Sequence, residues 1–388
     1  MLTITHVECG IPSLRSRYCT GGAFAFCAKV PSAFRYDRLK QMNDTLEQIA
    51  ERLSAEVEHE QIVTWSNPAA NYRGIIAIHS TKLGPAVGGT RFFNYPADEL
   101  AVIDAIRLSR AMSYKSALAG LPLGGGKAVI IGDSQKLDRE QIFREHGRFV
   151  NSLKGQFITA EDVGTRPADM VIVRRETQFV GGLPEQSGDP SPVTARGVFR
   201  SLQACAEHRW GTTDLTGKTI AIQGCGSTGF HLASHLKQAG ANLIVSDVDA
   251  GKSQRFANEF DAIVVDPAAI FDTSADVFAP CALGGMINAQ TIDKLECEII
   301  AGSANNPLLE DRHGDELHSR GVIYAPDCIA NSGGLINGCR ELLSWSPERA
   351  SSRVEALYQV MLDILKAADQ ENLAPFRIAY AKAKQILS

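Results

Sequence analysis

Two lysines raise the first chemical question. They lie in the stretch "SYKSALAGLPLGGGKAVIIGD", as Lys115 and Lys127, the second directly behind three glycines. A lysine after glycines suggests a phosphate cradle. The phosphate-loop pattern G-x-x-x-x-G-K-[ST], however, needs a glycine six positions before the lysine and a hydroxyl just after it. Those places hold Leu121 and Ala128, and alanine cannot ligate Mg²⁺, so that reading fails. Taken singly, each lysine would be a solvated surface group, the usual fate of that side chain.

Other reactive residues give less. The nine cysteines form no C-x-x-C pair, and their odd number argues against a disulfide framework or a zinc ribbon. They suit a reducing cytosol, which is the expected location. His231 and His235 stand four apart on a helical stretch but lack the glutamate of H-E-x-x-H, so no metal site is expected.

The clearest unit is "KTIAIQGCGSTGFHLASHLKQAGANLIVSDVD". Ile220 and Ile222 mark a short strand, and Gly224, Gly226 and Gly229 spell G-x-G-x-x-G around Cys225, Ser227 and Thr228 at a strand-to-helix turn. Gly240 suits the helix stop, "NLIVSD" reads as the next strand, and Asp247 ends it. The lone glycine pattern is weak and could be a tight turn without a ligand. With strand, helix, second strand and terminal acid in place it reads as a dinucleotide fingerprint. The glycines let the backbone approach a pyrophosphate, whose charge the helix N-terminus favours. Asp247 would bind both ribose hydroxyls. "VDAG" follows with no basic residue to meet a 2'-phosphate, which favours NAD over NADP.

These residues need elements to position them. The first 41 residues lack clear periodicity and hold three of the nine cysteines. They are expected to be an extension outside the fold, upstream of a true start at Met42; their scarcity of acids also fits a transit peptide. Residues 42–187 are expected to form an α/β substrate and oligomerisation domain. In it a strand "GIIAIHS" precedes a long helix, with Pro96 in the first turn, Asp98 and Glu99 at its positive end, and Val102, Ala105, Ile106 and Met112 in helical period. The strands "AVII" and "QFIT" flank a second helix from about Arg139 to Leu153. Residues 188–345 read as a Rossmann domain, opened by a helix after "GDPSPVTARGVF". There "DVFAPCALGG", "IIAGSANNPL" and "VIYAPDCIANSGGLIN" each read as a strand running into a polar, glycine-rich turn. Ligands bind at such carboxyl ends. Residues 346–388 read as helices packing back across the junction.

The bulk numbers agree with a two-domain α/β fold. A chain of 388 residues can hold two cores, and 44% hydrophobic with 21% charged residues is a globular composition. A formal net charge of -5 points to neither nucleic acid nor a membrane surface as partner. No apolar run reaches the length of a membrane span.

The segments "LGPAVGGTR", "MSYKSALAGLPLGGGKAVIIGD", "TAEDVGT", "GDPSPVTARGVF", "QGCGSTG", "FAPCALGG", "AGSANN" and "IANSGGLIN" together resemble the glutamate/leucine/phenylalanine/valine dehydrogenases, and in particular the leucine and phenylalanine branch. They follow one another in family order over roughly Arg73 to Asn337. The resemblance implies NAD-dependent oxidative deamination of an L-amino acid to its 2-oxo acid and ammonia, by a homo-oligomer built through the first domain. It implies that Lys127 is the catalytic lysine and that Asp162 exchanges protons with the reacting nitrogen. Lys115 would bind the substrate carboxylate, with Asn305 and the backbone near Gly88 and Gly89 holding the substrate. Ser191 and Thr194 would lie beside the nicotinamide, near Cys281 and Asn331.

Elementary chemistry agrees. Releasing ammonia requires water to add to an imine carbon, and so a base. A lysine with its ordinary pKa of about 10.4 is useless as a base at neutral pH. Enclosure and a neighbouring cation such as Lys115 bring it down, to about 7–8 in catalytic cases. The glycines before Lys127 are expected to let its backbone pack against the substrate. Cys281 reads as a small buried hydrophobe rather than a nucleophile.

Glutamate-specific members carry a lysine where this chain has Val87. Burying a substrate carboxylate against valine costs several kcal/mol, about 2–7, so an apolar amino acid is expected. Gly181 replaces the usual threonine of leucine enzymes and Gly338 an aliphatic residue, while Leu335 is bulkier than the common valine. Two glycines are expected to widen the pocket, which hints at an aromatic substrate, phenylalanine or tryptophan. Leucine keeps the edge on family base rate. Two competing readings are another Rossmann oxidoreductase on the same scaffold and a catalytically silent sensor of NAD or amino acids. The sensor would be expected to lose Lys127 or Asp162, and both are present.

Overall fold

The computed structural model describes residues 45–55, 57–183 and 188–388. The proposed extension over residues 1–41 lies outside the described residues.

The first unit runs α1 (Leu46–Ser54), β1 (Gln61–Asn67), β2 (Tyr72–Ser80), β3 (Ala86–Phe93), α2 (Asp98–Leu118), β4 (Gly124–Ile131), α3 (Arg139–Ser152), β5 (Phe157–Glu161) and α4 (Pro167–Arg174). Its five strands lie in the order β1-β2-β4-β3-β5. The two pairs made by β2, with β1 and with β4, are antiparallel, whereas β3 runs parallel to both β4 and β5. Helix α2 covers one face through Val102, Ala105 and Ile106, and α3 covers the other through Phe143, Phe149 and Val150. Pro96 stands just ahead of α2, whose N-cap is Ala97.

One reading changes here. The glycines before Lys127 belong to β4 itself, a strand buried along its whole length, and they face protein rather than open space. A Cβ on Gly125 would overlap the backbone of Ser113 on α2, and one on Gly126 would come within 2.7 Å of the Phe157 ring. Gly125 lets the long helix sink onto the strand and Gly126 admits the Phe157 ring, tertiary demands that glycine in a sequence does not distinguish from a loop.

The second unit runs α5 (Ser191–Trp210), β6 (Thr219–Gln223), α6 (Ser227–Gln238), β7 (Asn242–Ser246), α7 (Ala250–Phe260), β8 (Ile263–Val264), β9 (Val277–Pro280), β10 (Ile299–Ile300), α8 (Asp311–Ser319), β11 (Ile323–Tyr324), α9 (Asp327–Ala330) and α10 (Gly333–Leu342). The six strands are all parallel, in the order β11-β10-β9-β6-β7-β8. That order reverses between β6 and β9, the crevice where open α/β sheets bind ligands. Strand β11 runs into α9 and α10 rather than into a simple turn.

The chain ends in α11 (Pro347–Glu355), α12 (Leu357–Glu371) and α13 (Pro375–Leu387). One apolar cluster joins Val87, Tyr114, Ala117 and Leu118 of the first unit to Val198 and Leu202 of α5, Leu365 of α12 and Ala379 of α13. Arg353 on α11 donates to the Gly120 carbonyl at 2.7 Å. Among the described residues, no helix is long and apolar enough to cross a membrane.

Behind the first sheet, His146 is fully buried and hydrogen-bonded to the Tyr72 hydroxyl at 2.8 Å and to Thr90 Oγ1 at 2.7 Å. Burial pushes its pKa down from 6.5 to about 3. The folded state therefore keeps this ring neutral where the unfolded chain would protonate it, so its contribution is full above pH 6.5 and is lost as pH falls toward 3. The expected slope is about 1.4 kcal/mol per pH unit. Denaturant titrations at pH 6.5 and 5 should show a slope shallower by one proton in His146→Gln; an unchanged slope would mean that the ring is not held neutral.

Candidate active site

Strands β3 and β4, the residue just past β5 and one face of α2 bring four charges together at the floor of a cleft. The Lys127 ammonium on β4 lies 2.8 Å from Asp162 Oδ2, just past β5. Arg91 on β3 donates from Nε to the same oxygen at 3.0 Å, and from Nη1 to Asp104 Oδ2 on α2 at 2.8 Å. The Tyr95 hydroxyl also donates to Asp104 Oδ2, at 2.5 Å. Lys127 is only 5% exposed and Arg91 8%.

Two glycines on β3 make this approach possible. A Cβ on Gly88 would overlap the Gly126 carbonyl oxygen, and one on Gly89 would lie 2.8 Å from Asp162 Cβ.

Burial is the largest influence on Lys127 and lowers its pKa. Asp162 opposes that shift and Arg91 adds to it, and the net direction is downward. Burial alone would raise the pKa of Asp162, but Lys127 and then Arg91 outweigh it and hold the carboxyl at about 2. Lys115 on α2, crowded by protein although part of its surface is open, is also lowered, first by burial; Asp327 and Cys328 oppose this and Lys127 adds to it.

Lys115 Nζ donates to Asn305 Oδ1 at 3.2 Å, reaching from the first unit to the loop after β10 in the second. Asn331 Nδ2 donates to the same oxygen at 2.9 Å and so fixes which end of the Asn305 amide faces the lysine. A second path crosses beside Asp162. The charge of Asp189 acts on Glu161, and Ser227 at the start of α6 donates to Asp189 Oδ2 at 3.1 Å.

That path ends at the glycine turn after β6. Gly224 has φ +103, a left-handed conformation that disfavours any side chain, and a Cβ there would come within 2.9 Å of Ala282. At Gly226 a Cβ would meet nothing within 4 Å, so the turn opens onto free space. Asp247 is already oriented: its Oδ2 accepts from the Cys225 amide at 2.8 Å and its Oδ1 from the Asp249 amide at 2.9 Å.

Two family models match the chain: "Glu/Leu/Phe/Val dehydrogenase, dimerisation domain" over residues 57–179 and "Glutamate/Leucine/Phenylalanine/Valine dehydrogenase" over residues 245–385. Leucine dehydrogenase of Bacillus cereus is 46% identical over 331 residues, covering 84% of this chain and 90% of that protein. Phenylalanine dehydrogenase of Caldalkalibacillus thermarum is 42% identical over 332 residues, covering 83% and 89%. The crystal structure of L-tryptophan dehydrogenase from Nostoc punctiforme superposes with a TM-score of 0.76 at 39% identity, covering 87% of this chain and 98% of that one.

The chain belongs to the Glu/Leu/Phe/Val dehydrogenase family.

In this member of the family the structure gathers Lys127, Asp162, Lys115, Asn305, Asn331, Gly88 and Gly89 around one cleft. Gly224 to Gly229, Asp247 and Cys281 meet at the reversal of the second sheet, where the Cys281 amide donates to the Gln223 carbonyl at 2.7 Å. Cys281 and Cys225 are poor nucleophiles, since burial raises both thiols, Cys225 to about 11. Ser191 opens α5, and Thr194 Oγ1 donates to the Pro190 carbonyl, 2.9 Å from where a Cβ on Gly334 would sit. Val87 is buried in the shared apolar cluster and Leu335 is half-buried against it, while Met112 on α2 is half-buried.

The two glycines expected to widen the side-chain pocket behave differently. Leu342 Cδ2 already sits 2.9 Å from where a Cβ on Gly181 would be, so the space there is filled. A Cβ on Gly338 would meet nothing within 4 Å, so that side stays open. Sequence reasoning missed Arg91, Asp104, Tyr95 and Leu342. A signal existed for the first: an arginine inside the apolar strand "TRFF" needs a buried acid as partner.

The close packing behind the cleft gives a direct test. Gly88→Ala should force β3 and β4 apart and cost on the order of 1–3 kcal/mol, read as a lower denaturation midpoint. An unchanged midpoint would mean that the strands part without cost.

Proposed function

We propose that this chain catalyses reversible oxidative deamination of an apolar L-amino acid to its 2-oxo acid and ammonia, with NAD as cofactor and leucine and other branched-chain amino acids as first substrates. The observation that carries the reading is the Lys127 ammonium, buried and 2.8 Å from Asp162, in a member of this family.

Lys115, fixed against Asn305, is the cation available to a substrate carboxylate from one wall of the cleft. Asp162 is ionised and faces the same space, so it can accept a hydrogen bond from the substrate's ammonium group and relay a proton between that nitrogen and its surroundings without keeping it. Lys127 in its neutral form takes a proton from water as that water adds to the imine carbon, and returns one as ammonia leaves. Its lowered pKa makes that neutral form accessible below the ordinary 10.5.

The residues at the glycine turn fit NAD. The free space at Gly226 and the N-terminus of α6 suit a pyrophosphate, and the oriented carboxylate of Asp247 suits two ribose hydroxyls. Val248, 91% exposed, follows Asp247 where a 2'-phosphate would need a cation. When bound, NAD supplies the acceptor for the substrate's hydride. The family's description of residues 57–179 as a dimerisation domain supports a homo-oligomer.

The open side at Gly338 favours a second reading within the family, a phenylalanine or tryptophan preference. Because one methylene discriminates by only about 1–3 kcal/mol, both classes belong in the assay. NADH absorbance with leucine, valine, phenylalanine and tryptophan should rise with at least one of them; no rise with any apolar amino acid would sink the proposal and favour a silent sensor. Lys127→Ala should lower kcat by roughly 10²–10⁴-fold while leaving the Kd for NAD unchanged, and wild-type turnover would remove it as the base. Asp247→Ala removes two charge-assisted bonds and should raise the KM for NAD by about tenfold or more, whereas an unchanged KM would mean that the ribose is held elsewhere.

A further inference from the structure

The cleft floor holds two charged residues that the proposed chemistry does not use. Arg91 and Asp104 continue the line from Lys127 through Asp162, with spacings of 2.8, 3.0 and 2.8 Å and alternating signs. Tyr95 closes the far end by donating to Asp104. With all four groups ionised the line is neutral, and it becomes singly negative when Lys127 gives up its proton.

We propose that Arg91 and Asp104 are a pair of positioning residues behind Asp162: Arg91 holds Asp162 ionised, so that Lys127 carries the mobile proton of the site, and the two residues pull on that proton in opposite directions. The inference rests on the reading of Lys127 as the base.

The geometry suits arginine in particular. Its planar fork presents Nε to one carboxylate and Nη1 to the other, so a single side chain fixes the Oδ2 edge of Asp162 toward Lys127 while being fixed itself by Asp104. A lysine offers one point charge and could hold only one of the two acids well. Tyr95 stays a donor, because burial and then Asp104 raise its pKa. The charge of Arg91 favours ionised Asp162 and disfavours protonated Lys127, whereas Asp104 favours protonated Lys127. The two halves of the pair thus pull the lysine in opposite directions and leave it poised.

The other groups facing Lys127 are few. Asp162 approaches from the end of β5, Lys115 and Asp104 from α2, and Arg91 from β3; β2 places Ala77 opposite and contributes no charge. Glu161 acts on Asp162 from the far side.

Opposite pulls predict opposite shifts, which a merely structural role would not produce. The test is an NMR titration of protein carrying lysines labelled with 13C at Cε, the Lys127 resonance being assigned by its loss in Lys127→Arg. In Arg91→Gln, Lys127 should titrate higher than in wild type, by on the order of one pH unit. In Asp104→Asn it should titrate lower, and the double variant should fall between the two. The acid limb of kcat/KM should move the same way in each. Shifts in the same direction, or none, would overturn the proposal. If Arg91→Gln does not fold, Asp104→Asn alone must still lower the titration, and Arg91→Lys should leave it near wild type while kcat drops about tenfold or more. An unmoved Asp104→Asn or a wild-type kcat in Arg91→Lys would equally overturn it. The titration needs no turnover. A protein that shows these shifts but oxidises no amino acid would therefore refute the reading of Lys127 as a base while leaving the pair intact.

Discussion

The contact on which this structure depends is the ion pair between Lys127, which is buried, and Asp162, which is mostly so. Burying two charges costs several kcal/mol per ion before their attraction returns anything, and well-packed apolar residues would often do as well or better for stability. Such a pair is therefore poor evidence of a stabilising device and good evidence of a working one. Much of the surrounding architecture can be understood as what makes the pair possible. Three parallel strands lie side by side, two glycines on β3 let backbone come against backbone, and a second cation approaches Asp162 from the neighbouring strand.

The same economy of space operates on the other side of β4. Gly125 admits α2, and α2 in turn carries Lys115 to the cleft and Asp104 to the buried line of charges. One helix thus supplies both a cation for the open cleft and an acid for the closed floor. Their positions differ by three turns along its length, and each faces what its chemistry requires. Across the cleft, Asn305 and Asn331 do for Lys115 what Arg91 does for Asp162: a neighbour's hydrogen bond decides the orientation of a charged group's partner or of the charged group itself.

The two units are not separable bodies. A continuous apolar cluster runs from Val87 and Tyr114 into α5, α12 and α13, so the first unit shares its packing around Val87 with the second. Leu342 shows the consequence. It belongs to α10 of the second unit, yet it fills the room left by Gly181 of the first. The shape of the side-chain space is therefore a property of both units together, and a residue type at one position does not fix it.

How much was legible depends on whether the signal was local. The turn at Gly224 to Gly229 and the strand ending in Asp247 could be read directly, because a positive φ, a helix start and a terminal acid all fall within one short stretch. The order of motifs carried Lys115, Lys127, Asp162 and Asn305 for the same reason: each sits in a segment with its own pattern. The glycine triad was misplaced, since a glycine that opens a loop and one that admits a helix look alike until the helix is there. Arg91, Asp104 and Tyr95 are spread over two elements with no common spacing, and their meeting is a product of the β3–β4–α2 packing. Chain pattern by itself thus determined the elements, the dinucleotide turn and the groups able to do chemistry. Only the tertiary structure decided which charges touch and which glycines are already filled, because contacts between distant segments are set by packing and leave no periodicity behind.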